Sequence, residues 1–355
     1  MSRKLLSYTA LGLILGNAAI ADVPKVAVDI SPVHSLVSRV MEGVGSPKLI
    51  IPAGASPHEY SLRPSEAKSL QDADMVIWMG EDLAPWMENS IEKLAKNAEI
   101  ITLLEISETK LLDYREGALF EEHDHGDHDD HDKDHDDHDD HDDHDDHDHD
   151  KDHDDHDDHD DHDDHDHDKD HDDHDDHDDH AGHDHGEHDP HAWLSLENAQ
   201  TWLNLVAGKL SAADPENAGV YFGNAAAARS EIEELSKEVN SILDPVRGRS
   251  FVVFHDAYQY FETSFDFPAS GAISLGDATD PSASRIAEIQ GRVREEGINC
   301  VLSEPQYNPN LVATVLEGTD AKTGVIDPLG VNLEPGPKLY GDLIRNMAKS
   351  LAGCL

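Results

Sequence analysis

The sequence predicts an α/β protein with two parallel-sheet lobes, a long rigid helix that joins them, and a disordered insertion rich in histidine and aspartate. Three observations lead to this prediction. Short apolar runs suited to buried strands alternate with segments of helical spacing, first before residue 121 and again after residue 245. A helical pattern without internal proline separates these two regions. Residues 121–188 contain almost nothing but histidine and aspartate.

Residues 1–21 predict a cleaved secretory signal. Arg3 and Lys4 give it a positive start, residues 5–20 are mostly apolar, and Ala19-Ile20-Ala21 is a small-x-small cleavage site. A transmembrane anchor is the alternative, but the apolar run is short for a hydrocarbon core of about 30 Å. We therefore expect the mature protein to be exported.

The first lobe is predicted to cover residues 22–214, with the insertion at 121–188 inside it. Its strands are short apolar runs, as in a parallel sheet covered on both faces, and its helices repeat apolar residues every three or four positions. The predicted strands are residues 25–30, 48–51, 75–79 and 100–104. The predicted helices are residues 32–44, 64–72, 83–95 and 194–210.

Residues 215–244 are predicted to form the linking helix. Asp214 suits the N-cap and Pro215 the first helical position. Ile232, Leu235 and Val239 then recur at helical spacing. A helix of this length would span roughly 43 Å, which suits a strut between lobes better than a crossover within one sheet.

The second lobe is predicted to cover residues 245–355 and to repeat the alternation. Its last predicted strand precedes Asp327, and its first predicted helix has Asp280 as N-cap and Gly297 as its stop. The predicted strands are residues 250–254, 300–303 and 324–326. The predicted helices are residues 281–296 and 337–352.

The insertion gives the first indication of metal binding. All but four of the chain's 27 histidines lie in it, in repeats of the unit HDD. Such a segment has no apolar surface to bury, so it is expected to be disordered. Imidazole nitrogen and carboxylate oxygen are suitable ligands for borderline divalent metals. A solubilising acidic tract is the alternative, but that role requires aspartate and not histidine, so a weak metal collector is favoured.

Charge and cysteine content narrow the possible partners. The formal net charge is −51, which argues against nucleic acid and against anionic membrane surfaces because both need clustered Lys and Arg. The two cysteines, Cys300 and Cys354, form a single pair, and in an oxidising compartment such a pair is expected to be a disulfide. Two free thiols or two thiolate ligands are the alternatives.

Four residues outside the insertion suggest a separate site. His58 lies in a loop after the second predicted strand, and His191 follows Asp189-Pro190. His255 and Asp327 each follow the carboxyl end of a predicted strand, which is where open α/β sheets bind ligands. Two of the four precede the linking helix and two follow it, so a site built from them would lie between the lobes. Each residue taken alone also fits a structural role, such as a turn cap.

The chain resembles the ZnuA-like family, the periplasmic zinc-binding proteins of ABC zinc importers, within a wider group that includes manganese receptors. The resemblance covers essentially the whole mature chain, and the insertion precedes the second matching stretch, as in many zinc members. The matching stretches are GASPHEYSLRPSEA at 54–67, DPHAWLSLENA at 189–199, FVVFHDAYQYF at 251–261, SEPQYNP at 303–309 and IDPLG at 326–330.

The resemblance implies His58, His191 and His255 as zinc ligands. In manganese members a carboxylate typically matches His255, so histidine favours zinc, which agrees with the preference of Zn²⁺ for imidazole. It also implies Asp327 as fourth ligand, with water or Glu59 as alternatives, and a disulfide between the two cysteines. Some zinc relatives have a carboxylate where this chain has Pro57, which cannot ligate.

The resemblance further implies a monomeric receptor that gives zinc to a membrane permease driven by a cytoplasmic ATPase. A rigid linking helix predicts small lobe rearrangement on binding. Two other classes stay open at this point. A zinc hydrolase shares the three-histidine ligand set, but the sequence has no HExxH, GxSxG or Walker motif. A periplasmic zinc buffer or adhesin-like protein would instead depend mainly on the insertion.

Overall fold

The computed structural model describes residues 22–115, 120, 188–274 and 281–355. The predicted signal segment at 1–21 lies outside these residues, as does the predicted insertion apart from its last residue, His188. Among the described residues, no helix has the length and apolar character that crossing a bilayer requires.

The first lobe is built on a parallel sheet of four strands in the order β2-β1-β3-β4. The strands β1 and β3 are buried along their whole length, as expected for middle strands of a sheet with helices on both faces. The strands are β1 (Val26–Val28), β2 (Lys48–Leu49), β3 (Met75–Trp78) and β4 (Glu99–Thr102). The helices are α1 (Ser31–Val40), α2 (Pro64–Gln71), α3 (Pro85–Leu94) and α4 (Leu196–Ala213).

A single long helix, α5 (Ala218–Leu243), follows the first lobe. Its 26 residues correspond to about 39 Å. It begins three residues later than predicted, after a 3-10 turn. Asp214 is the N-cap residue of that turn and Pro215 is its first residue. The Asp214 side chain accepts hydrogen bonds from Asn217 Nδ2 at 2.7 Å and the Tyr221 hydroxyl at 2.8 Å.

The second lobe has its own parallel sheet of four strands in the order β6-β5-β7-β8. The two middle strands are again almost wholly buried. The strands are β5 (Phe251–His255), β6 (Ala272–Ser274), β7 (Cys300–Ser303) and β8 (Lys322–Val325). The helices are α6 (Gln259–Phe265), α7 (Ala283–Glu295), α8 (Pro309–Leu316) and α9 (Leu339–Cys354).

Three short elements, α6, β6 and α8, were not predicted. Periodicity does not identify elements of three to eight residues well, and helices this short depend on tertiary packing. The predicted cap of α7 was also wrong. Ser282 is the N-cap, because its hydroxyl accepts the Arg285 backbone N–H at 3.2 Å, whereas Asp280 lies outside the described residues.

One apolar core extends through both lobes. It includes the first sheet, α4 and α5, and it continues to one face of the second sheet and to α9. Helix α5 contributes throughout, since it packs against α1, α4 and α9. A separate, smaller core lies on the other face of the second sheet, under α7 and α8.

The predicted disulfide between Cys300 and Cys354 is confirmed. The two Cα atoms are 5.8 Å apart, and the bond joins the start of β7 to the end of α9. Chain-entropy arithmetic for a loop of this length gives a stabilisation of about 4 kcal/mol.

Candidate metal centre

Three of the four predicted site residues come together. His58, His191 and His255 each offer one ring nitrogen, and these nitrogens all lie within 4.8 Å of one another. Nε2 of His191 and Nε2 of His255 are 3.4 Å apart. Two nitrogens bound tetrahedrally to zinc at about 2.0–2.1 Å are separated by about 3.4 Å, so this pair already has the spacing of zinc ligands.

Each histidine is placed by a different element. His58 lies on the loop after β2, His191 lies just before the turn into α4, and His255 is the last residue of β5. The strand was predicted to end at residue 254, whereas in the structure it includes His255. Its position at the carboxyl end of a middle strand agrees with the usual location of ligand sites in parallel sheets.

Buried carboxylates hold the two innermost histidines. His191 Nδ1 is 2.7 Å from Asp189 Oδ1, which also accepts the His191 backbone N–H at 2.9 Å. His255 Nδ1 is 2.6 Å from Glu304 Oε1. A carboxylate can only accept, so it favours the tautomer with the proton on Nδ1, and the Nε2 lone pairs then face each other. All four side chains are buried.

Asp189 and Glu304 were not assigned a role from the sequence. Asp189 is two residues before His191, and this spacing within the DPH stretch was the available signal for a local hydrogen bond. Glu304 lies 49 residues after His255, so nothing in the sequence alone joins the two. It directly follows β7, the strand that pairs with β5.

The loop that carries His58 is anchored by aromatic residues. Trp86 Nε1, from α3, donates a hydrogen bond to the Pro57 carbonyl at 2.8 Å. Tyr60 packs edge to face on Trp86 with ring centroids 5.8 Å apart, and its hydroxyl donates to Glu66 at 2.9 Å. The Pro57 side chain has no donor atom for a metal, but the Pro57 carbonyl fixes the loop next to His58.

The histidines line a cavity of about 20 Å³. This volume holds about one sphere the size of a water molecule, so the cavity suits a single ion better than an organic substrate. Trp193 forms part of its wall, with its ring 5.2 Å from that of His191, and its Nε1 donates to the Pro328 carbonyl at 2.9 Å. This bond joins the turn after His191 to the loop that follows β8.

Asp327, the fourth predicted site residue, is not part of the histidine group in the described structure. Its carboxylate accepts backbone N–H groups of the loop that follows it, at 2.7–3.0 Å. Glu59 is exposed and is also not in the group. The choice of Asp327, water or Glu59 as fourth ligand therefore stays a prediction. The amides that bond to Asp327 belong to Leu329, Gly330 and Val331.

His34, the remaining histidine outside the insertion, is buried in α1 and is not part of this group. Its Nε2 is 3.3 Å from the Pro47 carbonyl oxygen, and burial lowers its pKa.

Comparisons with known proteins give one consistent family. The profile of the family described as "ZnuA: Zinc-uptake complex component A periplasmic" matches residues 26–354. Two proteins named high-affinity zinc uptake system protein ZnuA are 44% identical to the chain. The one from Paracoccus denitrificans matches over 98% of both chains, and the one from Brucella abortus over 96% of this chain and 94% of its own. A protein of the same name from Haemophilus influenzae is 35% identical over 99% of both chains.

Solved structures share the fold at low sequence identity. A crystal structure of ZnuA superposes with a TM-score of 0.67 at 17% identity, covering 94% of this chain and 99% of its own. The solute-binding protein FpvC from Pseudomonas aeruginosa, in complex with Mn²⁺, superposes with a TM-score of 0.66 at 16% identity, covering 94% and 98%.

Proposed function

The chain belongs to the ZnuA family, the periplasmic component of zinc-uptake complexes, and we propose that it captures Zn²⁺ with His58, His191 and His255 and delivers it to an ABC-type permease. The observation that supports this most strongly is the 3.4 Å separation of two buried Nε2 atoms whose opposite ring nitrogens meet carboxylates. Members of the family are receptors of importers and not enzymes.

Capture follows from the state of the imidazoles. A histidine must be neutral to ligate, and carboxylates opposite Nδ1 make Nε2 a better donor. Because Asp189 and Glu304 already fix both rings, little side-chain order remains to be gained when zinc arrives. The site then favours zinc over manganese, since imidazole ligands suit Zn²⁺ and carboxylate-rich sites suit Mn²⁺.

The ligand set can be tested by zinc titration in competition with a chelator. His58→Ala, His191→Ala and His255→Ala are each expected to weaken the single tight site, and His34→Ala is the control because His34 lies outside the group. Unchanged affinity in all three variants would contradict the proposal.

For the fourth ligand we propose Asp327. Asp327→Asn is expected to weaken zinc binding, whereas Glu59→Gln is expected to leave it unchanged. Because Asp327 also accepts backbone hydrogen bonds, thermal unfolding of the zinc-free variant must be measured beside affinity. Weaker binding by Glu59→Gln alone would instead identify Glu59, and unchanged binding by both variants would identify water.

Delivery separates a receptor from a zinc buffer. We propose a monomer, exported by a cleaved signal at residues 1–21, that docks on a membrane permease coupled to a cytoplasmic ATPase. Zinc uptake by cells that lack the chain should be restored by the wild type and not by a variant with all three ligand histidines replaced. Uptake that does not depend on the chain would favour the buffer.

For residues 121–188 we propose a low-affinity zinc collector. Replacing residues 121–187 by a short glycine-serine linker should remove the weak zinc equivalents from a titration and leave one tight site. Loss of the tight site in this variant would contradict the division of roles between the insertion and the three histidines.

A further inference from the structure

Arg115 lies shortly before the insertion in the chain, and it contacts two acidic residues of the second lobe. Its guanidinium forms hydrogen bonds to both carboxylate oxygens of Asp256, with Nε at 3.1 and 3.0 Å and Nη2 in closer contact with Oδ1. It also donates to both oxygens of Glu262, at 2.7 and 3.1 Å. One guanidinium therefore bridges two carboxylates, in the forked arrangement that arginine favours and lysine cannot form.

The two carboxylates are close to the metal centre in the chain and in space. Asp256 directly follows His255, and Glu262 lies on α6, the helix that begins four residues after His255. Both are buried, and burial raises the pKa of each while Arg115 opposes that rise. Among the described residues, Arg115 forms an ion pair with each of these two carboxylates.

Arg115 is part of a larger junction, which we call the stem and define as residues 109–115 and 188–190. The two arms of the stem bond to each other: His188 Nδ1 is 2.9 Å from Asp113 Oδ1, and the Asp189 backbone N–H donates to the Leu112 carbonyl at 2.8 Å. The second arm continues directly into His191. Its Asp189 is the carboxylate that fixes the His191 ring.

The stem is bonded to both lobes. On one side, the Lys110 backbone N–H donates to Asn198 of α4 at 2.8 Å. On the other side, the Leu112 backbone N–H donates to the Tyr260 hydroxyl of α6 at 2.9 Å, and that hydroxyl donates to the Asp189 carbonyl at 2.9 Å. Arg115 adds the charged contact on this second side.

We propose that Arg115 is a positioning residue for zinc binding, which fastens the stem to the second lobe and so keeps His191 and His255 at ligand spacing. His191 is supported by the stem and His255 by β5, and Arg115 bonds the stem to the residue that follows β5. Without it, two buried carboxylates lose their cation and the stem loses its strongest contact with α6. This role rests on the proposed zinc site.

The charge of Arg115 and its contacts are expected to change zinc binding in opposite directions. A guanidinium near the site repels a divalent cation, so removing it would tighten zinc binding if charge alone mattered. Loss of the contacts would loosen the site and speed zinc release. The two effects have opposite signs, and one measurement on Arg115→Gln therefore separates them.

The experiment measures zinc release from the full chain into an excess of chelator, with the affinity from chelator competition. We expect Arg115→Gln to release zinc about tenfold faster, the lower end of the effect of removing outer-shell partners. Arg115→Lys is expected to lie between the variant and the wild type. The control is Arg39→Gln, which removes another two-pronged pair, to Glu231 at 2.8 and 3.2 Å, from a side chain of equal 16% exposure.

Unchanged or slower release from Arg115→Gln would overturn the proposal. A triple variant, Arg115→Met with Asp256→Asn and Glu262→Gln, guards against a general loss of stability because it buries no unpaired charge. It should still release zinc faster than the wild type, and release at the wild-type rate would overturn the proposal. If the wild type itself bound no zinc tightly, the proposed function would fail together with this inference.

Discussion

His191 and His255 are buried side chains whose Nδ1 atoms each meet a buried carboxylate. His58 is half-buried, lies on a loop, and is positioned through the main chain of the residue before it. The first two form a prepared pair, while the third belongs to a segment without regular secondary structure. Loops open locally at lower free energy than buried strands do, so we expect zinc to meet the pair first and His58 to complete the site.

The largest expected effect tests whether the buried pair and the loop histidine contribute differently to the free energy of zinc binding. Structural zinc sites bind with about 10–16 kcal/mol, or about 3 kcal/mol for each of four ligands. His58→Ala should therefore weaken zinc binding by about a hundredfold. His191→Ala and His255→Ala should cost a further ~1–3 kcal/mol, because each also removes the ring nitrogen that faces a buried carboxylate. Competitive titration measures all three, and equal losses would remove the distinction.

The second effect depends on pH. A histidine that ligates zinc must lose its proton, and the ordinary pKa of the side chain is about 6.5. Zinc affinity should therefore fall once the pH is low enough to protonate the ligands, by about tenfold per pH unit for each ligand that binds a proton. Titrations between pH 7.5 and 5 measure the slope. In His58→Ala the logarithm of the affinity should change by about one unit less per pH unit, because one ligand fewer binds a proton. An affinity that does not change with pH would contradict the ligand set.

A third effect concerns the carboxylates behind the pair. Asp189→Asn and Glu304→Gln keep the size of each side chain and remove its charge, so each ring loses its strongest acceptor. We expect zinc affinity to fall by about 10–100-fold in each variant, the usual cost of such changes. Glu66→Gln, which alters the support of the His58 loop through Tyr60, should cost less and serves as the comparison.

The smallest effect concerns the anchor of the loop. Trp86→Phe removes the hydrogen bond to the Pro57 carbonyl and keeps most of the aromatic packing. One neutral hydrogen bond contributes about 1 kcal/mol, so zinc affinity should fall only a few-fold, and mainly through faster release. Stopped-flow release into a chelator checks this. A loss as large as that of Glu304→Gln would show that the loop is as tightly organised as the buried pair.

The three histidines that the structure brings together were predictable because their signal is local. His58 and His191 each follow a proline, His255 ends a strand, and the sequence outside residues 121–188 has one other histidine, His34. The middle strands were predictable for a similar reason, since a short continuous apolar run such as that of β3 is typical of a buried strand. The disulfide followed from having only two cysteines in an exported chain, and the structure confirms it.

The support of the site was not predictable because it is made by residues far apart in the chain. Glu304 reaches His255 across 49 positions, and Arg115 reaches Asp256 across 141. Such contacts exist only once β5 and β7 are paired and the stem is packed on α6. The environment of Asp327 was missed in the same way: the sequence places it after a strand, but not the backbone amides that turn towards its carboxylate.

The apolar core that extends from the first sheet through α5 to α9 has a consequence for how the protein unfolds. Separating the lobes would expose apolar surface on both of them, so neither is expected to melt alone. Calorimetry should show one cooperative transition, with the calorimetric enthalpy equal to the van't Hoff enthalpy. Saturating zinc should then raise the melting temperature of the whole chain, because binding to the native state alone stabilises every part that unfolds with it.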